Sequence, residues 1–320
     1  MALGLPLLVL VGMTLWWVWL GRDPRPGSIV PAWRPPEGVG PGAAGALVDQ
    51  RADPADVLAT FLDLAARGYL QIREVHPSGV PAEGGAEAAV ARSLLESVGL
   101  WTTEWEFRRT DRPVDRLATF ERATYYALFG TERSVTMSAI ATAFRERLPG
   151  LYHALYGELV QRGWFRHSPQ ATRREWLLLG GALAAIGVVL IAWAGIVDLG
   201  VGLLLSGAVM VAYSPAMPVV TREGARVRDQ LLGLREYVRR AERAEVEARH
   251  RGQRAPRRFE EILPYAIALG VVDLWLDEFG GLTQGPGWYV VQGAPETTAF
   301  SVQMGAFCTA AIGALGATGR

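Results

Sequence analysis

The chain has 320 residues, half of them apolar, and its 32 basic side chains are balanced by 32 acidic ones. Every basic residue is Arg, and the absence of Asn excludes N-glycosylation acceptors; zero formal charge argues against a nucleic-acid binder on bulk electrostatics. One cysteine, Cys308, excludes an intramolecular disulfide and a cysteine metal cluster, and the length accommodates two or three compact units.

Residues 1–20 carry no charge and end in Trp16, Trp17 and Trp19. About 20 apolar residues suffice to cross a hydrocarbon core. A signal peptide or a buried helix would share this composition, but a basic leading region is missing and no small-residue cleavage site follows Leu20. The segment 1–21 therefore reads as a retained span, followed by Arg22 and Arg25. Residues 22–45 are rich in Pro and Gly and form an extended linker, a spacer packed along a domain.

A first helix starts at Asp53-Pro54-Ala55-Asp56. Asp53 can cap exposed amides, Pro54 suits the first helical position and Asp56 occupies the reciprocal capping position. Val57, Phe61, Leu64 and Ala65 continue with helical periodicity. Arg67-Gly68 ends the helix before a short strand at 69–72, and a loop is expected at 77–85. The spacing predicts further helices over 117–129 and 136–148, and Leu151, Leu155, Leu159 and Val160 outline another. Arg162-Gly163-Trp164-Phe165 then echoes Arg67-Gly68-Tyr69-Leu70. The repeated helix–Gly–strand order predicts two winged-helix-like α+β units, at 46–110 and 111–175.

Two uncharged runs of 22 residues, 176–197 and 199–220, flank Asp198. They predict a membrane hairpin over 176–220 with a tight turn at Asp198, and Trp176, Trp193 and Tyr213 suit interfacial depths. Arg22 and Arg25 follow the first span, Arg173 and Arg174 precede the second, and Arg222, Arg226 and Arg228 follow the third. The positive-inside rule then puts all three flanks in the cytoplasm, the N-terminus and the Asp198 turn outside. The fold class that results is a mainly α membrane protein. It has three transmembrane helices and winged-helix-like α+β cytoplasmic units, integral in an inner or plasma membrane.

Residues 221–281 hold amphipathic and docked cytoplasmic helices. Between 222 and 258 there are 12 Arg and six acidic residues. A helix over 225–247 with a Leu231, Leu234, Val238 and Ala241 stripe can pack on the soluble units or lie on anionic lipid. Residues 262–276 are apolar but include Pro264 and Asp273, which favours a docked helix over a shallow crossing. Trp288-Tyr289 reads as an interfacial anchor, and the uncharged residues 297–319, within a small-residue-rich segment at 282–320, read as a mobile tail rather than a fourth span.

Candidate contacts for a protein partner or anionic headgroups are Arg108, Arg109, Arg112 and Arg116, and Arg226, Arg228, Arg235, Arg239 and Arg240. The first group is interrupted by Asp111 and Asp115, and residues 22–175 contain 19 Arg against 19 acids. That neutrality disfavours the DNA contact a winged helix would suggest. His76, His153, His167 and His250 lack metal-ligand spacing, and neither a nucleophile elbow nor a phosphate loop occurs. Glu104 and Glu106 fit one exposed strand face. No catalytic residue, cofactor or metal is implied.

Several patches resemble the DUF2207 predicted membrane proteins of bacteria and archaea. They are Pro35-Pro36-Glu37-Gly38, the run from Leu62 to Leu70, Thr221-Arg222-Glu223-Gly224, the run from Leu263 to Gly270, and Trp288-Tyr289. The resemblance covers residues 24–289. Family members typically carry an extracytoplasmic β-rich domain before the first retained span, so it implies a shortened member lacking that domain or a fragment of a longer architecture; it supplies no activity. It also suggests structural roles: Gly68 at a helix-to-strand corner, with Gly163 as its counterpart, Pro264 in a helix start and Tyr265 at a packing junction.

The expectation for function is a membrane-anchored cytoplasmic interaction or scaffold protein with a protein partner or a homo-oligomer. The alternatives are an accessory subunit of a transporter or channel, assembled through Gly180, Gly181, Gly187, Gly202 and Gly207, and a membrane-tethered nucleic-acid-binding regulator.

Overall fold

A computed structural model of the chain describes residues 3–24, 27–75, 104–240, 254–279, 285–291 and 300–316. The loop expected at 77–85, the end of the helix expected to reach 247, His76 and His250 lie outside these residues. The described chain is mostly helical with one small sheet. It divides into two compact units, the first comprising residues 1–28 and 156–229, the second 29–155 and 230–320.

The first unit contains three apolar helices: α1 (Gly4–Leu20), and α6 (Pro169–Ala194) and α7 (Val197–Tyr213), which form a hairpin. Residues 169–193 and 197–216 are each long and apolar enough to cross a membrane. Glycines set how closely the hairpin arms approach. A methyl group on Gly187 would stand 2.5 Å from the Gly200 carbonyl oxygen, and one on Gly180 would stand 2.8 Å from that of Gly207. Both pairs are seven residues apart in each arm, so one small-residue seam runs along two turns of contact. The turn lies earlier than expected. α6 ends on Gly195 in the left-handed region (φ 65°), Ile196 links, and Asp198 is an exposed residue in the first turn of α7. Only Gly is free of Cβ strain at that φ, so it terminates the helix; Asp198 then suits the positive end of the α7 dipole.

The helix α1 packs on α7. The Thr14 and Tyr213 hydroxyls hydrogen-bond at 2.7 Å, and the rings of Trp16 and Trp176 meet edge-on at 6.4 Å. At 17 residues, α1 is about 25 Å long, somewhat short of a hydrocarbon core.

The second unit is built on α2 (Pro41–Asp49), α3 (Pro54–Ala66), α4 (Thr119–Phe129), α9 (Arg254–Ala268), α10 (Val272–Glu278) and α11 (Phe300–Gly316). Its sheet comprises β1 (Leu70–Val75), β2 (Glu104–Arg109), β3 (Ser134–Thr136) and β4 (Tyr289–Val291) in the order β3-β2-β1-β4. Its antiparallel pairs are β1–β2 and β2–β3; β4 runs parallel to β1, with Ile72 opposite Tyr289. The unit boundary falls within two long helices, α5 (Met137–Gln161) and α8 (Arg222–Arg240).

The N-terminus of α3 is a full capping box: Asp53 accepts from the Ala55 and Asp56 amides, and the Asp56 carboxylate accepts from the Asp53 amide. Its other end turns at Gly68 (φ 78°) directly into β1. Ring contacts tie the elements together. Phe61 meets Phe107 and Phe144 at 5.7 Å, and Phe307 meets Trp105 at 5.7 Å, Phe107 at 6.0 Å and Tyr289 at 6.1 Å. This is the core of the unit.

Several expectations change. The β2–β3 ladder crosses the boundary expected at 110/111, and both its strands lie in the second unit, in place of one sheet for each of two units. The Gly163 corner (φ 71°) leads only to an isolated bridge between Phe165 and Val220. The two helices expected over 136–160 are one continuous α5, which carries Pro149 in its interior. Pro264 likewise lies inside α9 rather than in its first turn. In each case flanking apolar contacts offset the lost backbone hydrogen bond: Leu148 and Leu151 beside Pro149, Leu263 and Tyr265 beside Pro264, all buried.

Residues 262–269 are all buried in the second unit, so this segment is docked. Trp288 and Tyr289 are core residues, not anchors: the Trp288 indole donates to Glu260 and the Tyr289 hydroxyl accepts from the Trp105 indole. The segment expected as a mobile tail contains α11, which buries Phe300, Met304, Phe307, Cys308, Ala311 and Leu315 along one face.

Candidate functional site

Two polar constructions stand out, one in each unit. In the first unit, chain segments from three parts of the sequence are stitched together next to the ends of the apolar helices. Residues 164–165 lie against 220–221, with Phe165 bridged to Val220 and the Thr221 amide donating to the Trp164 carbonyl. The Thr221 hydroxyl also donates to the Gly163 carbonyl at 2.6 Å and accepts from the Gly224 amide, capping α8. Gly224 is required here, since a methyl group would stand 2.4 Å from the Trp164 carbonyl oxygen. The Val220 amide donates to Asp23, whose other oxygen pairs with Arg228 at 2.6 Å. The Gly27 amide donates to Asp229 at 2.7 Å.

These contacts fix direction as well as position. Thr14 meets Tyr213, Trp16 meets Trp176, and Asp23 meets Val220. The C-terminal end of α1, the N-terminal end of α6 and the C-terminal end of α7 therefore share one end of the unit. The arginines next to the apolar helices, Arg22, Arg173, Arg174 and Arg222, all belong to that end. Asp198 is at the other.

In the second unit, the end of α3 carries an ionic cluster. Arg67 forms a two-pronged pair with Glu121 of α4, at 2.8 and 3.3 Å, and lies 3.1 Å from Asp63. Glu121 also accepts from the Ala118 amide, so it caps its own helix. Two carboxylates thus share one guanidinium. Burial, partly opposed by the Arg67 charge and reinforced by that of Glu121, raises Asp63 to about 6. The Tyr265 hydroxyl donates to the Val39 carbonyl at 2.5 Å, joining α9 to the chain just after Pro35-Pro36-Glu37-Gly38. Nearby, Gly45 lets α2 approach α3 and α9: a methyl group there would stand 1.9 Å from the Asp56 carboxylate and 2.9 Å from the Ala268 carbonyl oxygen. Burial and the adjacent Asp53 charge push Asp56 well above the ordinary carboxylate range, against the Asp53 amide bond that favours its anion.

The arginines singled out from sequence fall into different roles. Arg108 and Arg109 are exposed at the end of β2, and Arg109 hydrogen-bonds Tyr125. Arg112 lies over the Tyr69 ring at 4.9 Å and donates to the Arg67 carbonyl, while Arg116 is exposed. Arg226 pairs with Glu223, and half-buried Arg228 is committed to Asp23. Arg235 is half-buried with its charge acting on Asp49; Arg239 is exposed, and Arg240 pairs with Glu236. Leu231, Leu234 and Val238 of α8 are buried, so that stripe faces protein. Of the glycines considered for assembly, Gly180, Gly187 and Gly207 are occupied within the hairpin, Gly202 is buried and Gly181 is exposed.

Sequence reasoning missed the Asp63–Arg67–Glu121 cluster. The helical i,i+4 spacing of Asp63 and Arg67 was visible, but nothing local points to Glu121, 54 residues away. Among the described residues, no group of three or more His, Cys, Asp or Glu side chains is placed to hold a metal ion.

A family model described as the predicted membrane protein (DUF2207) C-terminal domain matches residues 30–279. The chain belongs to that family. No curated protein and no solved structure matches it. The match takes in the apolar hairpin of α6 and α7 and most of the second unit, whereas β4 and α11, which complete the second core, lie beyond it.

Proposed function

We propose that this DUF2207-family protein is a membrane-anchored interaction or scaffold protein that presents its second unit on the cytoplasmic face. In this reading α1, α6 and α7 all cross the bilayer, with the N-terminus and the Asp198 turn outside. The observation that carries it is the common end shared by α1, α6 and α7 next to Arg22, Arg173, Arg174 and Arg222. Positive flanks favour the cytoplasmic side, and three crossings leave both sequence blocks of the second unit there. Exposed apolar side chains along α1 and α6, among them Leu8, Leu15, Leu178, Val189 and Trp193, suit a lipid environment.

The interaction role is supported by how the polar groups of the second unit are used. Arg67 is ion-paired with both Asp63 and Glu121, and Asp53 and Asp56 cap a helix. These groups hold a rigid platform together, which suits localisation and assembly rather than bond chemistry. The test is site-specific photo-crosslinking in native membranes, with the crosslinker at Arg108, at Arg116 or at Asp198. One reproducible protein adduct formed from the first two positions and not from Asp198 supports the proposal. Adducts from none of them, or from Asp198 alone, oppose it.

A further inference from the structure

The first unit contains nine Arg and six acidic residues, and its acids are largely spoken for at the arginine end. Asp23 pairs with Arg228, Glu158 with Arg162 and Glu223 with Arg226, while Asp229 accepts from the Gly27 amide. Asp198 stands at the opposite end of the hairpin. The sixth acid, exposed Glu175, stands beside Arg174, and the positive surplus falls on the other arginines. Arg22, Arg166 and Arg222 are each exposed, and each borders the stitched segment: Arg22 adjoins Asp23, Arg166 adjoins Phe165, and Arg222 adjoins Thr221. Contacts of Val220 and Thr221 with Asp23, Trp164 and Phe165 thus join the three segments that carry Arg22, Arg166 and Arg222.

Their depth relative to the apolar surface is set by the same helices. Leu20, the last residue of α1, is 56% exposed, and Arg22 follows two residues later with its guanidinium 5.1 Å from the Trp17 ring centre. Exposed Arg174 precedes exposed Leu177 by three residues, or about 4.5 Å of helix. Apolar surface, tryptophan and then arginine is the order of hydrocarbon, interface and headgroup. A guanidinium at that depth meets lipid phosphate oxygens, which it can bind through two parallel N–H donors.

We propose that Arg22, Arg166 and Arg222, extended by Arg174, form a headgroup site that retains anionic phospholipid against the first unit. Apart from Arg222 at the start of α8, this assigns lipid contact away from the α8 arginines, of which Arg226, Arg228 and Arg240 are ion-paired. The inference rests on the reading that α1, α6 and α7 cross the bilayer.

The test reconstitutes the full chain in nanodiscs containing equal parts phosphatidylcholine and phosphatidylglycerol. Native mass spectrometry then counts the lipids retained on release from the disc. Wild type should retain phosphatidylglycerol in preference to phosphatidylcholine, and high salt during reconstitution should weaken that preference. One surface arginine is worth about a fivefold change in anionic-lipid binding, so R22Q/R166Q/R222Q should reduce the preference at least about tenfold. The control R51Q/R122Q, at exposed arginines of the second unit, should leave it unchanged. Equal retention of both lipids by wild type, or equal loss in the control, would overturn the assignment. If the triple variant does not fold, R166Q alone and the wild-type salt dependence decide it. Protein that stays in the disc through an alkaline wash but shows no lipid preference refutes the headgroup site alone, whereas protein stripped from the disc refutes the spans.

Discussion

Replacing Gly45 by Ala probes the closest packing in the second unit. The new methyl would stand 1.9 Å from an Asp56 carboxylate oxygen and 2.9 Å from the backbone oxygen of Ala268. Ordinary contact begins near 3.4 Å, so Asp56 would have to move by about 1.5 Å, and the Ala268 backbone limits escape in the other direction. Asp56 cannot move that far and still accept the Asp53 amide at 3.0 Å, so half of the capping box is lost. The lost cap costs about 1 kcal/mol, and overpacking adds about 1–3 kcal/mol. The improved helix propensity of Ala returns somewhat under 1 kcal/mol. A net loss of roughly 1–3 kcal/mol corresponds to a fall of about 2–12 °C in the unfolding midpoint for a unit of this size. Gly305 supplies the contrast, because a methyl there meets only Leu276 at an ordinary 3.6 Å. Differential scanning fluorimetry of the detergent-solubilised full chain should therefore show G45A melting below wild type and G305A at or above it. Equal midpoints for G45A and wild type would refute the packing described for α2, α3 and α9.

The ionic cluster makes a pH prediction. With Asp63 at about 6 when folded and near 3.8 in its ordinary state, the folded protein holds that proton more tightly. Its contribution to stability is then greatest below pH 4 and falls as pH rises to 6. Denaturant titrations should show D63N gaining on wild type over that window, and a constant difference from pH 4 to 7 would contradict the burial of Asp63. Replacing Arg67 by Ala leaves the Glu121 carboxylate in a buried site without its cation. Because Arg67 is itself partly exposed, a loss of about 1–3 kcal/mol is expected in the same titration; Y265F, which removes only the bond to Val39, should cost about 1 kcal/mol. Cys308 is buried on α11 and its thiol is pushed up to about 12, so the folded protein at pH 8 should resist iodoacetamide until denaturant is added.

Local chemistry was the legible part of this fold. Asp53, Pro54 and Asp56 specify a helix start within four residues, and the long apolar runs specify helices long and apolar enough to cross a membrane. The turn was misplaced because Asp198 is the more conspicuous residue, although Gly195 has the conformational freedom that ends α6. Long-range pairing was not legible. β4 joins β1 across more than 200 residues, which made Trp288 and Tyr289 look like surface anchors when they are core. The helix α11 did carry a signal: Phe300, Met304, Phe307, Ala311 and Leu315 recur at helical spacing. Its small residues obscured that stripe.

The resistance expected of Cys308 allows the central claim to be tested with single added cysteines. D198C and T131C, the latter in the exposed turn between α4 and β3 of the second unit, are labelled in intact spheroplasts with a membrane-impermeant maleimide, before and after lysis. A topology in which α1, α6 and α7 all cross the membrane predicts that Cys at position 198 reacts in intact cells and Cys at position 131 only after lysis. Labelling of position 131 from outside, or protection of position 198 until lysis, would contradict it.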